Sequence, residues 1–128
     1  MKNSKGFTLV EIMIVVAIIA LLASIAIPSL LRSNVMANDA LARGKLRTFS
    51  TAAEMYSSVN EGNYATAIGD LTGATPPYLN QSMCGQTVSG FVYTCTLAVG
   101  GYTVTAVPST LGVSGTTTFT ITTGGILQ

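Results

Sequence analysis

Hydrophobic and polar positions fall into three successive patterns along the chain. From Ile12 to Leu31 the sequence is uncharged and apolar, and about 20 such residues suffice to cross a bilayer as a helix. Beyond Pro28 the apolar positions thin out to one helical face, with Leu31, Val35, Ala42, Leu46, Phe49, Ala53 and Tyr56 at three- to four-residue spacing and Asn38 as a polar interruption. Arg32, Asp39, Arg43, Arg47 and Glu54 are assigned to the other side. This pattern predicts an amphipathic helix reaching about Ser58, where Asn60-Glu61-Gly62-Asn63 is a stop signal. A helix from Phe7 to Ser58 would be roughly 78 Å long at 1.5 Å per residue. No small head can bury that length, so its first half must find a membrane or other subunits.

Residues 60 to 88 read as an irregular connector. Ile68, Leu71, Tyr78 and Leu79 are expected to pack on the helix, and Thr75-Pro76-Pro77-Tyr78 makes a stiff turn. The period then switches to two. Phe91, Tyr93, Cys95, Leu97 and Val99 alternate with more polar neighbours, Gly100-Gly101 turns a hairpin, and Tyr102 to Ala106 forms its second strand. A third strand is expected near Thr117 to Thr122, with Gly124-Gly125 ahead of Ile126-Leu127. Threonine-rich strands of this kind suit a sheet with one buried and one wet face.

Composition sharpens this picture. Charged residues make up 9 % of the chain and apolar residues 48 %, against about 25 % charged in ordinary soluble domains. The formal net charge is +1, so nothing suggests bulk attraction to nucleic acid or to an acidic partner. All charged residues lie between Lys2 and Asp70, and Leu71 to Gln128 contains none. Catalysis is disfavoured: the chain has no histidine to act as a base, and Gly112-Val113-Ser114-Gly115 lacks the spacing of a nucleophile elbow. Arg43, Lys45 and Arg47 form a small basic cluster, better read as a solvated or inter-subunit face than as a nucleic-acid site, which would want more aromatic platform than Phe49. Asn80-Gln81-Ser82 matches a glycosylation sequon, a pattern that often occurs by chance.

Cys84 and Cys95 are the only cysteines. If the apolar segment crosses a membrane, both share an exported compartment, and a disulfide is the leading reading. Two unpaired core thiols are the alternative, and a metal site would lack ligands.

The first residues, MKNSKG, are short and basic, with Lys2 and Lys5 placed to hold the N-terminus on the cytoplasmic side. An ordinary cleaved signal peptide is the bland alternative, since Ser24-Ile25-Ala26 offers small residues at the positions a signal peptidase reads. Against it stand Pro28, just after that cut, and Glu11 near the start of the apolar run, where a charge costs about 2.5–3.5 kcal/mol at membrane depth. Such a carboxylate wants a partner.

Gly6-Phe7-Thr8-Leu9-Val10-Glu11, followed by IMIVVAIIALLASIAIP, resembles the leader junction of type IV prepilins and pseudopilins. The resemblance implies that a prepilin peptidase and methyltransferase cuts between Gly6 and Phe7 and methylates the new Phe7 amine. Glu11 would then neutralise that amine on an adjacent subunit, each charge removing the other's desolvation cost and fixing axial register. Pro28 would interrupt a continuous helix, kinking or loosening it. A looser resemblance to small pilins covers Glu54-Met55-Tyr56 to Leu71, Pro76-Pro77-Tyr78, Ala106-Val107-Pro108, Gly115 to Phe119 and a final Gly125-Ile126.

The expected fold is α+β, a long N-terminal helix packed on a three- or four-stranded antiparallel sheet. Its segments are a leader over 1–6, a transmembrane and filament-core helix over 7–28, an amphipathic helix over 29–59, a connecting loop over 60–89 and the sheet over 90–128. The implied product is a homo-oligomeric helical filament, drawn from a single-pass inner-membrane precursor by a pilus assembly machinery. No cofactor, metal or specific nucleic acid is expected. A pseudopilin of type II secretion, forming a periplasmic filament, is the alternative. Major secretion pseudopilins typically bind calcium through C-terminal carboxylates, and this chain has none after Asp70. A monomeric anchored binding protein remains a further reading, and it would not need Glu11.

Overall fold

A computed structural model of the chain describes residues 6–128; Lys2 and Lys5 lie outside the described residues. Long apolar and amphipathic stretches without a glycine until Gly44 favour one uninterrupted element, and helix α1 runs Leu9–Val59, 51 residues, with Pro28 inside it. Contacts divide the chain into Met1–Ser33 and Asn34–Gln128.

In the first unit the helix has no core to join. Its apolar side chains, Leu9 to Leu31, are exposed. Pro28 lacks the N–H that would bond the carbonyl of Ser24. Nearby, Ser24 donates its hydroxyl to the Leu21 carbonyl at 2.7 Å and Ser33 donates to Ser29 at 3.1 Å. Serines bonded back in this way loosen helical geometry on either side of the proline.

In the second unit Ala42, Leu46, Phe49 and Ala53 are buried, as their spacing requires. They pack with a sheet whose strands are β1 (Thr87–Val88), β2 (Phe91–Ala98), β3 (Gly101–Pro108), β4 (Phe119–Thr122) and β5 (Ile126–Leu127). The strands lie in sequence order and every pairing is antiparallel. Alternation along β2 and β3 turns Phe91, Tyr93, Tyr102, Val104 and Ala106 inward. The three expected strands are present, and the sheet gains β1 and β5, each of two residues. A two-residue strand shows no period that sequence could reveal.

Leu71 and Leu79 of the connector are buried, with Ile68 and Tyr78 partly so. A short helix, α2 (Ile68–Thr72), interrupts the connector. The Asp70 carboxylate accepts the backbone N–H groups of Thr66 and Ala67 ahead of it. Cys84 and Cys95 are joined by a disulfide, Cα to Cα 5.5 Å, tying the end of the connector to β2.

The outer helix face requires a correction. Asp39 is buried, and its carboxylate accepts the Thr116 N–H at 3.0 Å and the Thr116 hydroxyl at 2.5 Å. Glu54 also faces the head. It accepts the hydroxyls of Tyr64 at 2.8 Å and Tyr102 at 3.1 Å and the Gly124 N–H at 2.9 Å. Unsatisfied N–H groups in the loops flanking β4 make a carboxylate on the helix worth more inside than out. Asn38, the polar interruption, donates to the Ser114 carbonyl at 3.1 Å.

Candidate assembly site

Gly6, Phe7 and Thr8 precede the helix in irregular, exposed backbone, and Phe7 is 85 % exposed. A bond between Gly6 and Phe7 is therefore not locked in helical hydrogen bonds. Among the described residues other than its chain neighbours, no atom stands within 4 Å of where a Cβ on Gly6 would be. Extended, open backbone is what a peptidase needs in order to bind a scissile bond.

Thr8 is the N-cap of α1, and Glu11 stands three residues on. The Thr8 N–H and hydroxyl each donate to Glu11 Oε2 at 2.8 Å, while the Glu11 N–H donates back to Thr8 Oγ1 at 3.2 Å. This reciprocal arrangement is a capping box, and it satisfies backbone donors that a helix start leaves unpaired. The carboxylate also lies at the positive end of the helix dipole. Thr8 was not singled out from sequence, although the signal, Thr-x-x-Glu before an apolar run, is present there. The bonds from Thr8 engage Oε2, and among the described residues no donor engages Oε1.

Phe7 and Glu11 are thus brought to the same helix end, with Pro28 further along the same helix. Cys84 and Cys95 belong to the second unit. Among the described residues no group of three or more metal-ligating side chains is present.

The helix reaches a mean hydropathy of 2.9 over its most apolar window, and none of that window is buried. An apolar surface of this extent marks a membrane or protein contact. Glu11 is the charge within it.

Comparison with known proteins gives three kinds of similarity. Residues 1–27 match the family described as the prokaryotic N-terminal methylation motif. The chain is 36 % identical over 94 residues to the type IV wide pilus major component PilA4 of Thermus thermophilus, covering 71 % of this chain and 72 % of that one. It is 38 % identical over 69 residues to the type IV major pilin protein PilA of Myxococcus xanthus, 52 % of this chain and 31 % of that one. With the type II secretion system core protein G of Pseudomonas aeruginosa it shares 34 % identity over 55 residues, 43 % of this chain and 39 % of that one. No solved structure matches the chain significantly. The alignment with PilA4 runs well past the apolar helix into the head, and on that extent, with the motif at its start, the chain belongs to the type IV pilin family.

Proposed function

We propose that this chain is a structural subunit of a type IV pilus, polymerising through the exposed apolar part of α1. The observation that carries the reading is the unburied apolar helix with Glu11 and Phe7 at its start. Before assembly the bilayer covers this surface, with the head exported and the leader on the cytoplasmic side of the inner membrane. A prepilin peptidase and methyltransferase cuts the exposed Gly6–Phe7 bond and methylates Phe7. In the filament, neighbouring helices replace lipid.

Glu11 fits both stages. Thr8 holds one carboxylate oxygen in place, which lowers the entropy lost on binding, and the other is left for the Phe7 amine of an adjacent subunit. A buried pair of this kind sets register more than it adds affinity. The similarity to core protein G favours a second reading, a pseudopilin whose filament stays in the periplasm.

Intact mass of the protein in the fraction sheared from cells tests the proposal. A chain beginning at methylated Phe7 in that fraction is the expected result. The processed chain confined to the membrane fraction would move the assignment to the pseudopilin, and a chain beginning at Ile27 would mean signal-peptide cleavage. Glu11→Ala should be inserted and cut normally yet fail to assemble.

A further inference from the structure

Two residues in the head are costly choices that the isolated subunit does not explain. Gly44 sits in the middle of α1, where glycine destabilises a helix by about 1 kcal/mol relative to alanine. Nothing lies within 4 Å of where its Cβ would be, so no close approach inside the subunit demands it. Glu61 is the second. The Gly62 N–H bonds the Ser57 carbonyl at 2.9 Å in a Schellman-type helix stop, and Glu61 takes the left-handed position with φ 56°. Glycine or asparagine is the usual residue there, and a Cβ in that conformation costs roughly 1–2 kcal/mol. Left-handed backbone at a non-glycine residue is uncommon, and Ser89 is the other instance among the described residues.

Both features lie on exposed surface of opposite charge. Met36, Asp39, Ala40, Arg43, Gly44, Arg47 and Thr116 line an open groove of about 600 Å³ along one helix face; the Asp39 carboxylate in it is buried and bonded to Thr116, while both arginines are exposed. Gly44 forms a notch in it. The Arg43 guanidinium lies 4.6 Å over the Phe119 ring, which holds one cation at the rim at little further entropic cost. Glu61, by contrast, is exposed at the tip of the turn that ends α1.

We infer that the Arg43–Gly44–Arg47 groove receives the Glu61 turn of a second copy of this chain. This rests on the filament reading above. The charge distribution selects that occupant. From Leu71 onward the chain carries no charged side chain, so the side chains of the sheet offer the groove no ion pair. Asp39 and Glu54 are committed to Thr116 and to Tyr64, Tyr102 and Gly124. Asp70 closes the start of α2, and Glu11 lies in the apolar segment. Among the acidic side chains, Glu61 is the one left to project from the head. Subunits inserted in one membrane with one orientation are parallel. Arg47 precedes the helix end at Val59 by roughly 18 Å along the axis, so the contact joins copies staggered by about that distance.

Sheared-fibre yield against total processed protein, measured on the full-length chain in cells, tests the contact. Arg47→Glu and Glu61→Arg should each reduce fibres roughly tenfold with processing unchanged, and the double reversal should recover to within about twofold. Gly44→Leu fills the notch without altering charge; fibres should fall while the thermal midpoint in detergent holds or rises. Wild-type fibre levels from either single reversal, or a double variant no better than the singles, would overturn the contact. So would a lowered midpoint for Arg47→Glu, which would place Arg47 in the head's own stability. If Arg47→Glu keeps its fibres but loses binding to heparin, the groove belongs to a soluble polyanion. Should Glu11→Ala lose fibres while Arg47→Glu keeps them, the filament stands and this contact falls. If the wild type is processed but never sheared, the surface-pilus reading fails, and the contact as a contact of surface fibres fails with it.

Discussion

Thr8 and Glu11 hold one another in a closed ring of three hydrogen bonds at the start of α1. The residue proposed to receive a neighbour's amine is thus already oriented within its own subunit. Thr8→Val keeps the shape but removes the hydroxyl, and loss of an N-cap costs about 1 kcal/mol. Amide exchange at residues 9–12 in detergent should accelerate about fivefold, and fibre yield should fall with normal cleavage. Unchanged exchange would show that the ring does not secure the helix start.

Glu54 ties the helix to both the connector and the β4–β5 turn. Glu54→Ala should lower head stability by roughly 2–3 kcal/mol, because three donors lose a charged acceptor. Thermal melting of the detergent-solubilised chain reads this directly. A loss no larger than at an exposed helix position would refute the role assigned to Glu54.

The Tyr93 hydroxyl is buried with no hydrogen-bond partner among the described residues. An unpaired buried hydroxyl is a standing penalty of about 1–3 kcal/mol. Tyr93→Phe is therefore expected to be neutral or stabilising in the same melting experiment. Clear destabilisation would mean that the hydroxyl is satisfied in solution, by water or by a shifted neighbour.

Alkaline conditions should loosen the head. Tyr64 is raised from its ordinary value of 10.0, chiefly by the hydrogen bond it donates to Glu54. Burial raises Tyr93 and is the largest influence raising Tyr102. A raised folded-state value means the unfolded chain releases these protons first. Their contribution is therefore complete below about pH 10, the unfolded value, and is lost as pH climbs through the folded values. Melting midpoints should be flat on this account up to pH 9 and fall beyond 10, less steeply in Tyr93→Phe. A midpoint that holds through pH 12 would contradict it.

Much of this molecule was legible because its periods are long. The apolar run, the Ala42–Leu46–Phe49–Ala53 stripe and the alternation from Phe91 to Leu97 each repeat often enough to name their element. Asp39 and Glu54 escape the pattern because a charged residue ordinarily marks the solvent side of a helix. Yet Asp39 stands one turn before Ala42 on the same stripe, and Glu54 one turn after buried Ser50, whose hydroxyl also meets that of Tyr102 at 2.7 Å. Their partners, Thr116, Tyr102 and Gly124, come from distant sequence and obey no spacing rule. Thr116 is reached only because Gly115 has no side chain; a Cβ there would run into the Phe91 ring and the Asp39 carboxylate.

The absence of charge after Leu71 bears on how finished fibres would behave towards one another. Like-charged rods repel, and salt draws them together by screening. A coat of threonine, serine and glycine supplies no such repulsion to screen. Fibres of this subunit should therefore lie side by side in rafts at low and high salt alike, held by hydroxyl contacts between their sheets. They should drift only weakly in an electric field.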